Sequence, residues 1–236
     1  MDLSDVAVPH TLANLKSLLP PPPARILEVG CGRGALAAAL AELGYDVTGV
    51  DRGADVAAAA RERGVRVIEA DVHDVSGEYD VVLFTRALHH AEELDGILTH
   101  TRSLLAPNGQ LIIEEFAWER VDQAAADFLY DSQALLVATG VLDHEPPADD
   151  LLATWVTGHE RLHQGAAMLA ALKRAGSDLT TVDTDMVWRL IDGRGGAWTE
   201  PATHAADALN AIRRSELRRI AAGTLPSVGL LASVRR

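Results

Sequence analysis

The chain has 236 residues, 48% of them hydrophobic, and its 34 acidic residues outnumber 21 Lys and Arg to give a formal net charge of −13. That length suits one domain with an appended subdomain, and the apolar share is ample for a large core. The acidic balance argues against a nucleic-acid backbone as partner, which needs clustered Lys and Arg, and fits a small uncharged or cationic partner better.

One cysteine, Cys31, excludes an intramolecular disulfide and points to a reducing compartment. The N-terminus shows no basic region followed by an apolar run, and no apolar stretch reaches the length of a membrane span. A cytoplasmic chain with no membrane partner is expected, and nothing in the sequence speaks to its oligomeric state.

Residues 1–23 read as a short amphipathic helix over 11–19 and a stiff spacer, Pro20 to Pro23, because proline fixes φ and cannot continue a helix. A core over 24–116 follows, in which strands are expected at 26–29, 45–50, 65–70, 79–84 and 110–115. Helices fall between them from residue 35, over 54–63 and over 92–105, with Gly44, Gly64 and Pro107-Asn108-Gly109 as stops. Such alternation predicts a doubly wound, mostly parallel α/β sheet. Residues 117–178 lose the rhythm, hold a Glu145-Pro146-Pro147 break and no clear strand, and read as a helical lid and substrate region. Residues 179–236 complete the sheet with a strand inside 179–190, a helix over 205–222 and a last strand over 227–234.

Chemistry concentrates where the first strand ends. Ile26-Leu27-Glu28-Val29 runs straight into Gly30, Gly32 and Gly34, and the helix former Ala35-Leu36-Ala37 follows. A glycine turn between strand and helix lets the backbone approach a ligand and offers it unpaired helix N–H groups. Glu28, Gly30, Gly32 and Gly34 resemble the acid-x-Gly-x-Gly-x-Gly loop of class I S-adenosylmethionine-dependent methyltransferases, of the bacterial small-molecule type. Gly30, Gly32 and Ala35 also satisfy a loose dinucleotide pattern.

The resemblance covers residues 25–115 and implies a Rossmann-like seven-stranded sheet whose last strand is antiparallel beside the fifth. It implies S-adenosylmethionine as cofactor and S-adenosylhomocysteine as product. Glu28, Gly30, Cys31, Gly32 and Gly34 would form the glycine loop. Asp51 with Arg52 would meet the ribose, and Asp71 with Val72 the adenine. Thr85 and Arg86, in Phe84-Thr85-Arg86-Ala87-Leu88-His89-His90, would lie beside the methionine moiety. Glu115, Trp118, Tyr130 and Trp155 are candidates for the acceptor pocket.

Methyl transfer is an in-line displacement whose catalysis rests on positioning, and a hydroxyl acceptor also benefits from a general base. His163 and His159 are the first candidates for that base, and His89 and His90 the second. His159-Glu160-Arg161-Leu162-His163 is also a literal H-E-x-x-H, but the positions of a metzincin's further glycine and histidine hold Ala166 and Leu169. No metal is expected; on a helix, the i, i+4 spacing would instead point both imidazoles of a lid toward the acceptor.

The expected function is O- or N-methylation of a small molecule. One alternative is a methyltransferase-fold protein that binds the cofactor without transfer, in a cyclase-like or accessory role. A lesser one is an NAD(P)-dependent oxidoreductase. The Tyr-x-x-x-Lys pair of short-chain dehydrogenases is missing, since Tyr45, Tyr79 and Tyr130 are followed at that offset by Gly49, Leu83 and Ala134.

Overall fold

The computed structural model describes residues 3–144, 147, 150–191, 197–199 and 202–236; Glu145 and Pro146 of the expected break lie outside them. The chain begins with α1 (Leu3–Leu15), β1 (Arg25–Val29), α2 (Ala35–Glu42), β2 (Asp46–Asp51), α3 (Ala54–Glu62) and β3 (Arg66–Glu69). It continues through β4 (Tyr79–Thr85), α4 (Leu94–Ser103), β5 (Leu105–Phe116), α5 (Gln123–Ala138), β6 (Leu142–Asp143) and α6 (Leu151–His159). The remainder is α7 (Gly165–Ala175), β7 (Ser177–Thr184), β8 (Ala197–Trp198), α8 (Ala202–Ala221) and β9 (Gly229–Arg235).

Seven strands form one sheet in the order β3-β2-β1-β4-β5-β9-β7. The pairs β3–β2, β2–β1, β1–β4 and β4–β5 are parallel. Strand β9 is antiparallel to β5: Ala117 N donates to Val228 O at one end and Arg236 N to Gly109 O at the other. The expected topology is therefore present, with the order reversing between β1 and β4, where ligands of open α/β sheets bind.

The described residues fall into two contact units. One takes in those within 8–115, 163–182 and 230–236. Alternate strand residues here enter opposite faces, as period two requires. Ile26, Val81, Leu83, Ile112 and Leu231 pack with Leu15 of α1, Leu36 and Leu40 of α2 and Ala60 of α3. Leu27, Val82, Phe84, Leu111, Ile113 and Leu230 pack with Leu98 of α4 and Met168 and Leu172 of α7. Both faces are covered, which explains why these strands read as near-continuous apolar runs.

The end of β5 places two adjacent carboxylates on those opposite faces. Glu114 points to the α1 side, accepting from Thr11 Oγ1 at 2.8 Å and Asn14 Nδ2 at 2.9 Å. Glu115 turns the other way, toward the loop after β4.

The second unit takes in the described residues within 1–7, 116–162 and 183–229. Its core gathers Phe116, Trp118, Leu129, Trp155, Trp188, Leu209 and Val228. Buried Glu216 of α8 accepts from the amides of Met186 and Val187 at Oε1 (2.8 and 2.9 Å) and of Trp188 at Oε2 (2.8 Å). Burial outweighs these three bonds and lifts its carboxyl to about 7.

Several expectations change. The first helix spans Leu3–Leu15 with Pro9 inside it, where apolar spacing had placed it over 11–19; a proline inside a helix forfeits only one helix bond. Burial of Ala7, Thr11 and Leu15 holds it together. Pro107-Asn108-Gly109 does not precede the fifth strand but is a bulge inside it, since Tyr79 pairs with Leu105 and Val81 with Gln110. The region 117–178, read as strandless, contains β6, which pairs antiparallel with β8. The 117–178 stretch also divides between the units after Leu162.

Candidate functional site

A cavity of about 430 Å³ opens at the carboxyl ends of β1, β2 and β4. Gly30, Asp51, Arg52, Asp71, Val72, Arg86 and His90, all expected at a site, line it. Gly30 has φ +70°, and a Cβ there would lie 2.6 Å from that of Ala87. Gly32, at φ +52°, has nothing within 4 Å of where a Cβ would stand. The first glycine is required by the protein's own packing, while the second leaves room for a visitor. Cys31 is buried in the same turn, and burial followed by the charge of Glu28 pushes its thiol up to about 12. It is no nucleophile at neutral pH.

Asp51, where β2 ends, is held by two amides: Gly32 N donates to Oδ2 and Gly53 N to Oδ1, both at 2.9 Å. Each oxygen keeps a second lone pair, so the carboxylate can accept two further hydroxyls. Asp71, after β3, caps a short turn; His73 donates to its Oδ1 through the backbone N (2.9 Å) and Nδ1 (2.7 Å), and Arg52 stands 3.6 Å from Oδ2. The His73 bonds, the backbone one foremost, hold this carboxyl below its usual value. His73 also lines the cavity; an Asp two residues before a donor was the only sequence cue to it.

Beneath the loop, Glu28 accepts from Thr85 Oγ1 at 3.2 Å and is buried, which lifts its carboxyl to about 8. Gly34 closes the turn, its N donating to Cys31 O at 2.9 Å. Arg86 sits in the left-handed region at φ +54°, fixed by its N–H to Glu114 O at 2.8 Å.

Glu115 is not a wall of the acceptor pocket, as was expected of it. It is wholly buried, and its Oε1 accepts from Ala87 N (2.7 Å) and Leu88 N (2.6 Å). Oε2 stands 2.6 Å from Nδ1 of His89, itself buried. The His89 ring packs against that of His90, centroids 4.1 Å apart. His163 braces the same loop, its N donating to His89 O at 3.1 Å and its Nε2 lying 2.9 Å from Ala91 O.

The second unit corrects the expectation for the lid histidines. α6 stops at His159, so the H-E-x-x-H stretch leaves the helix after its first member and makes no two-histidine helix face. His159 stacks on Trp155 (centroids 3.7 Å) and has Nδ1 2.7 Å from Trp155 O. Trp155 is buried, with its indole N–H bonded to Trp118 O at 2.9 Å, and Trp118 donates likewise to Leu162 O at 3.1 Å. Both indoles hold the unit together where they were expected to line a pocket. Tyr130 is half-buried against the same core, and burial raises its phenol.

Comparison with known proteins agrees with this geometry. A family described as a methyltransferase domain matches residues 7–182. The ubiquinone biosynthesis O-methyltransferase of Xanthomonas axonopodis pv. citri is 33% identical over 115 residues, 44% of this chain and 48% of that protein. That of Pectobacterium atrosepticum is 37% identical over 97 residues, 37% of this chain and 40% of its own. The chain thus spans less than half the length of the curated relatives it matches. Among solved structures, an S-adenosylmethionine-dependent methyltransferase from Mesorhizobium loti shares the fold with a TM-score of 0.60 at 20% identity, over 95% of this chain and 96% of that one. Magnesium protoporphyrin IX methyltransferase from Synechocystis PCC 6803, with S-adenosylmethionine bound, gives 0.54 at 18% identity, over 99% and 80%.

Proposed function

This chain belongs to the methyltransferase-domain family, and on that premise we propose that it methylates a small-molecule acceptor from S-adenosylmethionine. The observation that carries the reading is Asp51, a carboxylate at the end of β2 whose two oxygens are fixed by the glycine loop and by Gly53, facing a cavity at the reversal of strand order. Two fixed acceptors suit the two ribose hydroxyls. Asp71 and Val72, which line the same cavity, would meet the adenine, and the space beside Gly32 supports a methionine portion passing there.

When bound, S-adenosylmethionine supplies a methyl on a sulfonium; the acceptor's lone pair forms the new bond to carbon as the C–S pair returns to sulfur, leaving S-adenosylhomocysteine. The protein's part is to hold the acceptor in line and to take a proton if the acceptor is a hydroxyl. An oxygen acceptor is supported by the O-methyltransferase names of the curated relatives. The net charge of −13 disfavours a nucleic-acid acceptor. Among the described residues, no helix is long and apolar enough to cross a membrane.

Calorimetric titration with S-adenosylmethionine, S-adenosylhomocysteine and NAD, on wild type and Asp51→Ala, tests the cofactor. Binding of the first two is expected, weakened about 10- to 100-fold by Asp51→Ala for the loss of charge-assisted bonds. Binding of NAD alone would refute the reading. A screen of phenol, catechol and amine acceptors with methyl-labelled cofactor then tests transfer.

A further inference from the structure

We infer that His73 is a positioning residue: it fixes Asp71 so that a single carboxylate oxygen is left to the ligand, and the site thereby selects a base with an amino group at that edge. The inference rests on the S-adenosylmethionine reading above and names what tells the cofactor's adenine from its deaminated counterpart.

Asp71, His73 and Arg52 all line the cavity. An ionised carboxylate accepts at both oxygens and donates at neither, and the His73 bonds keep this one below its usual value and so charged at neutral pH. Oδ1 is occupied twice by one residue, through the His73 backbone N at 2.9 Å and the ring Nδ1 at 2.7 Å. The two bonds do different work. The backbone N belongs to the short turn over 72–74 and fixes where Oδ1 sits. The ring adds a second tether, which resists rotation of the carboxylate about that point. Behind it stands the ring of His100 of α4, centroids 5.3 Å apart. Among the described residues Oδ2 accepts no hydrogen bond; the cation beside it, Arg52, is 3.6 Å away on a side chain 65% exposed. One acceptor is left for a ligand.

Adenine carries an amino group, a donor, beside the acceptor N1. Hypoxanthine, the deaminated base, carries an oxygen there, beside an N1–H. A fixed Oδ2 set against that edge bonds the amino group of the first and meets the second oxygen to oxygen. A carboxylate free to turn would discriminate little, because it could reach across to the N1–H of hypoxanthine as readily as to the amino group of adenine. Strong rejection of a near-isostere needs a polar group that the wrong ligand leaves unpaired. His73 supplies this by keeping Asp71 from turning to repair the mismatch.

Calorimetric titration with S-adenosylhomocysteine and S-inosylhomocysteine isolates the claim, since the two ligands differ only at the base. Wild type should prefer the first by about 10- to 100-fold, the worth of one charge-assisted bond against an unpaired acceptor. His73→Phe keeps a ring against His100 and the backbone bond to Oδ1 but removes Nδ1. Its preference should fall below about 3-fold, with the adenosine ligand somewhat weaker and the inosine ligand tighter. His73→Asn, whose amide nitrogen can stand near the place of Nδ1, should restore the preference. A wild type that binds both ligands alike would overturn the assignment. So would a His73→Phe variant that keeps the wild-type ratio, since equal weakening of both ligands marks a merely structural role, or one that binds neither. An Asn variant as unselective as the Phe one would overturn it too. Failure of the wild type to bind S-adenosylhomocysteine at all would instead overturn the reading beneath it, before any variant is made. Should His73→Phe not fold, His73→Ala carries the same test with the same expected fall in ratio.

Discussion

Glu115 in the sheet-bearing unit and Glu216 in the helical one are built alike: each is a buried carboxylate that takes three donors from a short turn. They differ in the third donor. For Glu216 all three are backbone amides, so its work ends with the shape of residues 186–188. For Glu115 the third is a side chain, the imidazole of His89, so its bonds fix a ring as well as a backbone turn. The same device staples a turn in both places, and at Glu115 it also fixes the ring of His89.

The contrast can be broken most sharply from the side of Glu216. Glu216→Ala leaves three amides without their acceptor and should cost about 3 kcal/mol or more of unfolding free energy, read by urea denaturation. A cost under about 1 kcal/mol would mean that water replaces the carboxylate and that no staple exists.

Proton linkage sharpens the comparison further. Glu216 is lifted from 4.5 to about 7 in the folded chain. Its contribution is therefore whole below pH 4.5, where folded and unfolded chains are both protonated, and is lost as pH rises through 7. Wild type should lose about 3 kcal/mol relative to Glu216→Gln across that window. Glu28, lifted to about 8, acts in the same direction over a wider range and is common to both proteins. A wild-type-minus-variant difference that is flat with pH would contradict the assignment.

The smallest effect is expected where a charge pair is exposed on both sides. Arg174 grips Asp95 at 2.6 Å, yet both side chains are more than half exposed. Arg174→Ala should change stability by under about 0.5 kcal/mol by thermal denaturation. Such a result would separate ion pairs that merely exist from buried carboxylates that hold a turn.

Much of the sheet was legible because its signals are local. Apolar runs ended by glycine or aspartate marked β1 to β3 within a residue or so, the run over 79–84 marked β4, and Asp51 and Asp71 could be placed by their position after a strand. What escaped depends on distant partners. The bulge in β5 looks like a turn until β4 lies beside it. β6 and β8, two residues each, have meaning only as a pair more than fifty residues apart. The His159–His163 spacing promised a helix face, but spacing does not say where a helix stops. Glu115 read as a strand-end acid at a pocket; its real partners lie 26 to 28 residues earlier, in a turn whose own sequence names no carboxylate.

The neighbouring carboxylates at the end of β5 have a consequence for how the chain finds its fold. Glu114 and Glu115 face opposite sides of the sheet, each toward its own donors. A slip of β5 by one residue would exchange the faces and bury both carboxyls among aliphatic side chains. An apolar strand such as Leu111-Ile112-Ile113 could otherwise sit in either register at similar free energy. The acids that follow it make one register far better than the other, so the pair acts as a check on assembly whatever it later does for chemistry.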